Sequence, residues 1–249
     1  MKKGLLALQF WGRDKADAMR LARFIADIEP GHRDEFDFLF VSRFDCDHDK
    51  STIDYVARKF DVRAWTTRSR MTGHPMGCWG LWFGTLEWFF QMKEAKRIPD
   101  YRWLFTFEAD SVPLTRNWIV ECSDEFEQAG VNIFGSEILT DYHHVNGNMM
   151  LSGNLDFLKW LVLGVGIDGC PVGQGWDTFL APQFFKWGAG FSTRIRSCWN
   201  WPTSTEEIYK TWLAEGVSFL HGVKDDSLYN RSRANLLRRP SLPALTNIL

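Results

Sequence analysis

The stretch Trp103-Leu104-Phe105-Thr106-Phe107-Glu108-Ala109-Asp110-Ser111-Val112-Pro113 is the most informative part of this chain. An apolar run ends there in two carboxylates, spaced as Glu-x-Asp. Because side chains two apart on an extended backbone point to the same side, Glu108 and Asp110 should converge just past a buried strand. Such a pair suits a hard divalent cation, and through it a diphosphate. The alternative is a solvated turn, since Asp-Ser before Val-Pro is also turn-forming.

The chain before this stretch alternates between strand-like and helix-like segments. Asp14 can cap a helix whose apolar residues recur at helical spacing from Ala18 to Ile28. Further helices are predicted at residues 51–60 and 81–96. Strands are predicted at residues 5–11, 36–41, 62–67 and 101–107. This alternation predicts an α/β fold with a mostly parallel sheet, in which ligands bind beyond the carboxyl ends of the strands.

The chain after this stretch is less regular. Helices are predicted at residues 118–128, 154–163 and 176–187, and strands at 131–135, 144–152, 191–198 and 217–220. We predict one domain over residues 1–228. A tail at 229–249 has little periodicity and is expected to be extended or partly disordered.

Composition narrows the class of protein. The chain has 249 residues and a formal net charge of -2, so no global positive field favours nucleic acid or an acidic membrane. Its five cysteines are dispersed, without C-x-x-C spacing, which favours reduced thiols and a cytoplasmic location. The apolar run near the N-terminus is too short for a signal peptide, and we find no apolar stretch long enough to span a bilayer.

Polar residues cluster around a glycine in a second segment, Asp141-Tyr142-His143-His144-Val145-Asn146-Gly147-Asn148. Gly147 would let the backbone approach a ligand closely. Asn146 and Asn148 would offer donors and acceptors to hydroxyl groups. The alternative is an Asn-Gly turn.

A third segment, Phe219-Leu220-His221-Gly222-Val223-Lys224-Asp225, places a histidine at a strand end. Its imidazole can complete a coordination sphere begun by carboxylates elsewhere. Gly222 would permit a tight turn, and Lys224 could neutralise a phosphate.

A further candidate lies in Gln174-Gly175-Trp176-Asp177. Trp176 would floor an acceptor pocket, and Asp177 would grip a hydroxyl or act as a general base. The alternative is a helix N-terminus, where the helix dipole favours an aspartate.

Taken in order, these segments resemble the GT-A-type glycosyltransferases, which have a single Rossmann-like domain and use nucleotide sugars. Glu108-Ala109-Asp110 resembles their Asp-x-Asp metal motif, with Glu in place of the first Asp. Residues 144–148 look like a His-x-Asn-Gly-Asn sugar-pocket segment, and residues 221–224 are similar to a C-terminal His-Gly-x-Lys segment.

The resemblance implies a transferase, of hexosyltransferase type, that moves a sugar from a nucleoside-diphosphate sugar to an acceptor hydroxyl. Manganese or magnesium would bridge Asp110, His221 and the donor diphosphate, with Glu108 contributing to the metal and donor site. Asp110 and Lys224 would serve catalysis, with Asp177 as a further candidate. Retention of configuration is favoured. The implied donor-binding residues are Gln9, Trp11, Arg13, Arg43, Arg70, Glu108, Asn146, Gly147, Asn148 and Lys224.

Other functions remain open at this point. One is a GT-A-like binding module without catalysis. Another is a nucleotidyltransferase or metal-dependent hydrolase. The acceptor is predicted to be a saccharide, in keeping with the thirteen tryptophans. A DNA base is the alternative, as for bacteriophage enzymes, because Arg231, Arg233, Arg238 and Arg239 form a local basic patch.

Overall fold

The structure of the protein is a computed structural model that describes residues 2–139, 143–166, 169, 172–198, 206–222 and 226–237. The strands in these ranges are β1 (Gly4–Phe10), β2 (Phe36–Ser42), β3 (Asp61–Thr66), β4 (Trp103–Glu108), β5 (Ser111–Pro113), β6 (Ile133–Ile138), β7 (His144–Ser152), β8 (Ala189–Phe191), β9 (Ile195–Ser197) and β10 (Phe219–His221). The helices are α1 (Lys15–Ile28), α2 (Lys50–Val56), α3 (Met76–Glu94), α4 (Trp118–Ala129), α5 (Leu155–Lys159), α6 (Trp176–Lys186), α7 (Glu206–Ala214) and α8 (Asp226–Leu237), and α5 continues into a π-helical turn (Trp160–Val165).

The larger sheet has seven strands in the order β3-β2-β1-β4-β7-β6-β8. Strands β1 to β4 are parallel, and β7 is antiparallel to its neighbours β4 and β6. Gln9 of β1 is in register with both Val41 of β2 and Glu108 of β4. The carboxyl ends of these three strands therefore share one edge of the sheet. The predicted α/β fold, with a mostly parallel central sheet flanked by helices, is confirmed.

Both faces of the large sheet are covered. Leu6, Leu8 and Phe10 of β1 join one apolar cluster with α1, whereas Leu5 and Ala7 join another with α3. Because helices cover both faces, these strands appear in the sequence as continuous apolar runs rather than alternating ones. Across the described part of the chain, no helix combines the length and apolar composition that crossing a membrane requires.

A second, three-stranded sheet lies beyond the end of β4. Its central strand β10 is antiparallel to β5 and parallel to β9. In the β5–β10 pair, His221 stands opposite Ser111. Since β5 begins only three residues after β4 ends, this pairing brings the end of β10 to the edge where β4 delivers its carboxylates.

The strand expected at residues 191–198 is two short strands in different sheets. Strand β8 belongs to the large sheet and β9 to the small one. Glu125 of α4 fixes the turn between them, because its carboxylate accepts hydrogen bonds from the backbone N–H of Thr193 (2.7 Å) and the hydroxyl of Ser192. A carboxylate more than sixty residues away thus redirects the chain, and the local sequence gives no sign of it.

The expectation of an extended or disordered tail from residue 229 is wrong up to residue 237, where the chain forms α8. Only a narrow face of α8 is buried, through Leu228, Tyr229 and Ser232, so apolar periodicity is weak. The Tyr229 ring packs edge-on against Phe24 of α1 at 5.3 Å. Residues 238–249, with Arg238 and Arg239, lie outside the described residues, and the domain boundary at 228 stays a prediction.

Candidate metal centre

Three side chains that can bind a metal converge at the shared strand edge. Glu108 is the last residue of β4, Asp110 follows two residues later, and His221 ends β10. Nε2 of His221 lies 3.3 Å from Oδ1 of Asp110 and 3.4 Å from Oε2 of Glu108. One ligand atom from each residue lies within 4.8 Å of the other two. The structure thus brings together the three residues predicted as metal ligands.

The backbone around His221 fixes the direction of its imidazole. Pairing of β10 with β5 and β9 holds the strand on both sides. Nδ1 of His221 lies 3.4 Å from the hydroxyl of Ser197 on β9. The other ring nitrogen, Nε2, therefore points towards the carboxylates. Gly222 follows with a φ of 85°, a conformation that glycine adopts at little cost, so the strand turns away directly after the imidazole.

Burial and charge act in opposite directions on His221, whose side chain is only 3% exposed. Burial disfavours the imidazolium form, but hydrogen bonding and charge from Asp110, and then from Glu108, outweigh it and raise the pKa of His221 to about 9. In the metal-free protein at neutral pH, a proton on His221 therefore supplies the positive charge between the two carboxylates.

The donor set fits a divalent cation. Ligand atoms about 2.1 Å from an octahedral ion lie about 3 Å apart when adjacent, close to the 3.3 and 3.4 Å separations at His221. Carboxylates suit magnesium and manganese, and the added imidazole favours manganese of the two. A bound cation would replace the proton of His221 as the positive charge at this point.

A cavity of about 710 Å³ opens beside the two carboxylates. Its lining includes Glu108 and Asp110 together with Trp11, Arg13 and Arg43 from the ends of β1 and β2. The guanidinium of Arg43 lies 4.5 Å from the centre of the Trp11 ring, and that of Arg13 lies 5.4 Å from it. The lining of the cavity therefore combines the two carboxylates with an aromatic ring and two cations.

Two more residues predicted at the donor site are Gln9 and Arg70, and only Gln9 lines the cavity. Gln9 lines the cavity but is only 3% exposed, and its amide donates to the hydroxyl of Thr85 (2.7 Å). Arg70 is not part of the cavity lining, and its guanidinium lies 4.8 Å from the centre of the Phe44 ring. Its role in donor binding stays a prediction.

The Asn146-Gly147-Asn148 segment lies in the first half of β7. Both asparagines are buried, Asn146 at 9% and Asn148 at 2% exposure. A Cβ on Gly147 would lie 2.8 Å from the Trp176 ring, so the glycine is required by packing against tryptophan. Trp176 is itself 6% exposed and stacks on Trp82 at 3.8 Å. It is a core residue beneath β7, not the exposed floor of an acceptor pocket.

Asp177 stands in the first turn of α6, with 22% of its side chain exposed. Its Oδ2 lies 3.6 Å from Nε2 of His144. Burial raises the pKa of Asp177, although the neighbouring His144 acts in the opposite direction. The glutamate of the metal centre, Glu108, adds a further upward contribution. Lys224, the remaining predicted catalytic residue, lies outside the described residues.

Sequence reasoning missed the position of two groups in the cavity. Asp14 precedes α1 but does not cap it, because its Oδ1 accepts the N–H of Trp11 (2.7 Å). Burial raises the pKa of Asp14 to about 7. The hydrogen bond from Trp11 acts in the opposite direction, and the negative charges of Glu108 and Asp110 add to the increase. Cys78 also lines the cavity, and burial raises the pKa of its thiol to about 12. No local motif marks either residue.

Comparison with known proteins identifies the fold. No family model matches the chain, and no curated protein sequence matches it. Among solved structures, the bifunctional glycosyltransferase WbbM matches at 10% identity and a TM-score of 0.57, over 96% of this chain and 50% of that one. Mouse xyloside xylosyltransferase 1 matches at 12% and 0.53, over 89% and 98% of the two chains. A glycosyltransferase involved in glycosylating the major capsid of PBCV-1 matches at 10% and 0.51, over 94% and 98%.

These likenesses show that the chain has the GT-A-type glycosyltransferase fold, as the resemblance of its motifs implied. The chain spans about half the length of WbbM. At 10–12% identity the comparisons establish the fold alone.

Proposed function

We propose that the protein is a metal-dependent glycosyltransferase that moves a sugar, a hexose, from a nucleoside-diphosphate sugar to an acceptor hydroxyl. One observation carries the proposal: Glu108, Asp110 and His221 converge at a cavity that also holds Trp11 and Arg43. The first group suits a divalent cation, and the second suits a nucleotide. A diphosphate between them would contact both.

The metal ligands and the other lining residues have distinct roles in this proposal. Asp110 and His221 would hold manganese or magnesium, with Glu108 completing the set or contacting the donor ribose. When bound, the cation would stabilise the negative charge on the departing diphosphate as a Lewis acid. Trp11 would contact the nucleoside, while Arg13 and Arg43 would orient it. Lys224 is proposed as a further cation at the diphosphate.

Asp177 is proposed to act on the sugar side. Its half-buried carboxyl group can accept a hydrogen bond from a sugar or acceptor hydroxyl, and its Oδ1 is held by the backbone N–H of Thr178 at 3.0 Å. We favour retention of configuration, in which Asp177 positions a hydroxyl and no strong base is needed. In an inverting reaction, Asp177 would instead remove the acceptor proton.

The acceptor is proposed to be a saccharide rather than DNA. Arg231 and Arg233 do lie on α8, but acidic residues offset positive charge on the flank between α1 and α8. Arg20, for example, lies 3.0 Å from Asp17 and 2.6 Å from Asp226. Such pairing reduces the local excess of positive charge that binding to a DNA backbone requires. We propose a cytoplasmic enzyme, and the four described cysteines are in the reduced thiol form, in keeping with it.

Thermal unfolding with a panel of nucleotide sugars tests the proposal. The true donor should raise the unfolding midpoint, and raise it further with manganese, because it binds only the folded state. With an acceptor present, the product should be a nucleoside diphosphate; release of pyrophosphate would indicate a nucleotidyltransferase instead. Absence of protection by every nucleotide sugar, with and without manganese, would contradict the proposal and favour a different class of ligand.

A further inference from the structure

The sequence predicts that Asn148 contacts the donor sugar. In the structure, its side chain forms hydrogen bonds within the protein. Its side-chain Oδ1 accepts the backbone N–H of Glu108 at 2.8 Å and lies 3.2 Å from the hydroxyl of Ser111. The residue is 2% exposed, so these contacts are made away from solvent. One amide oxygen therefore holds both ends of the four-residue turn that carries Asp110.

The contact between Asn148 and Ser111 also connects Asn148 to the third proposed metal ligand, His221. Ser111 begins β5 and stands opposite His221 in the β5–β10 pair. Asn148 itself lies on β7, which pairs with β4 in the large sheet through Thr106 and Met149. The Asn148 amide thus connects the large sheet to the small one. The connection lies between Glu108 and the strand that ends at His221.

Asn146 fixes the orientation of the Asn148 amide. Oδ1 of Asn146 accepts the backbone N–H of Asn148 at 3.0 Å and lies 3.3 Å from its side-chain Nδ2. Since Nδ2 faces Asn146, Oδ1 faces the turn. Gly147, between the two asparagines, has Trp176 packed against it, so β7 cannot shift on that side without a clash.

We propose that Asn148 is a positioning residue, one that sets the distance between the Glu108–Asp110 turn and His221 and thereby the affinity for the metal. This inference rests on the proposed metal-dependent function. Without the amide oxygen, the Glu108 N–H and the Ser111 hydroxyl lose a buried acceptor, and the turn has to move to find another partner. Loss of partners that orient metal ligands typically weakens metal binding by about 10- to 100-fold.

Manganese binding without substrate tests this role. Free Mn²⁺ is measured by electron paramagnetic resonance during titration of wild type, Asn148→Ala and Asn154→Ala. Asn154 is the matched control, because its Oδ1 also accepts two hydrogen bonds, from the N–H groups of Asp156 (2.8 Å) and Phe157 (3.1 Å), but at the start of α5. We expect Asn148→Ala to bind Mn²⁺ about 10- to 100-fold more weakly, and Asn154→Ala to bind it like wild type.

Ser111→Ala provides a second test, which holds even if Asn148→Ala does not fold. It removes one of the two contacts of the amide oxygen, so the affinity for Mn²⁺ should fall in the same direction by a smaller factor. Circular dichroism confirms folding of each variant. Wild-type affinity in a folded Asn148→Ala, or in Ser111→Ala if the first variant does not fold, overturns the positioning role and leaves the proposed function standing. Absence of Mn²⁺ binding by wild type overturns both.

Discussion

Nε2 of His221 lies 3.3 Å from Oδ1 of Asp110, although Asp110 lies in the turn between β4 and β5 and His221 ends the distant strand β10. The imidazole is buried, whereas the carboxylate is partly open to the cavity. This pair, with Glu108 beside it, is where we propose that a cation binds the donor diphosphate.

Asp110→Ala should abolish sugar transfer, with a loss of at least about 10³-fold in turnover, because the cation loses a carboxylate ligand and with it its hold on the diphosphate. The fold should persist, since Asp110 lies at the edge of the sheet with 22% of its side chain exposed. Turnover and circular dichroism are the two measurements. Asp124→Ala, at an exposed site on α4, is the control. Wild-type turnover in Asp110→Ala would remove this residue from the mechanism.

Metal binding should release a proton. His221 has a pKa raised to about 9, so it is protonated at pH 7.5, whereas a metal ligand must be neutral. We expect about one proton per bound Mn²⁺ at pH 7.5 and an affinity that rises with pH until about 9. Calorimetry in buffers of different ionisation enthalpy counts the protons. A proton count of zero at pH 7.5 would contradict an imidazolium at this site.

The metal-free protein should lose stability as pH rises from 7.5 to 9. A raised pKa of a histidine contributes stability that is complete below its unfolded value of about 6.5 and is lost as pH passes the folded value. The loss over this window should be on the order of 1–2 kcal/mol. The window excludes most of the effect of Asp14, whose raised pKa of about 7 makes stability fall with pH mainly below pH 7.5 and leaves a nearly constant penalty above it. Urea unfolding with a chelator measures the change, which should be smaller in His221→Gln.

Arg43→Ala should weaken binding of a nucleoside diphosphate by about tenfold or more, because a charged, stacked guanidinium is removed from the cavity. Arg43→Lys should recover little, since lysine lacks the planar group that stacks on Trp11 and binds both oxygens of Asp45. Calorimetry with the nucleotide, and separately with Mn²⁺ alone, distinguishes the two sites. Arg58→Ala is the control, because Arg58 stacks on Tyr55 outside the cavity. Unchanged nucleotide affinity in Arg43→Ala would exclude Arg43 from the donor site.

Gly147→Ala should destabilise the protein by about 1–3 kcal/mol, because the added methyl group overlaps the ring of Trp176. Gly164→Ala, where the nearest atom would be at 3.4 Å, should change stability much less. Denaturant unfolding measures both. In a double-mutant cycle with Trp176→Leu, the two changes should cost less together than the sum of their separate effects. Strict additivity would show that the glycine is needed for another reason.

Several features could be predicted from local sequence. The apolar run that ends at Glu108, and the similar run in β1, identified parallel strands with both faces covered. The Glu-x-Asp spacing and the position of His221 at a strand end predicted the three side chains that the structure brings together. The C-terminal helix α8 was missed, because three buried residues in twelve give too weak a helical pattern.

Local sequence was enough to predict which strands are buried, and that acidic and imidazole groups stand at strand ends, because apolar periodicity and turn residues act over a few neighbouring positions. Contacts between distant segments could not be predicted in this way: Asp110 meets His221, Asn148 faces the turn that carries Asp110, and Asp14 faces the cavity rather than its own helix. These contacts depend on strand order and on pairing between the two sheets. Both are set by packing of residues far apart in the chain, which leaves no trace in any single segment.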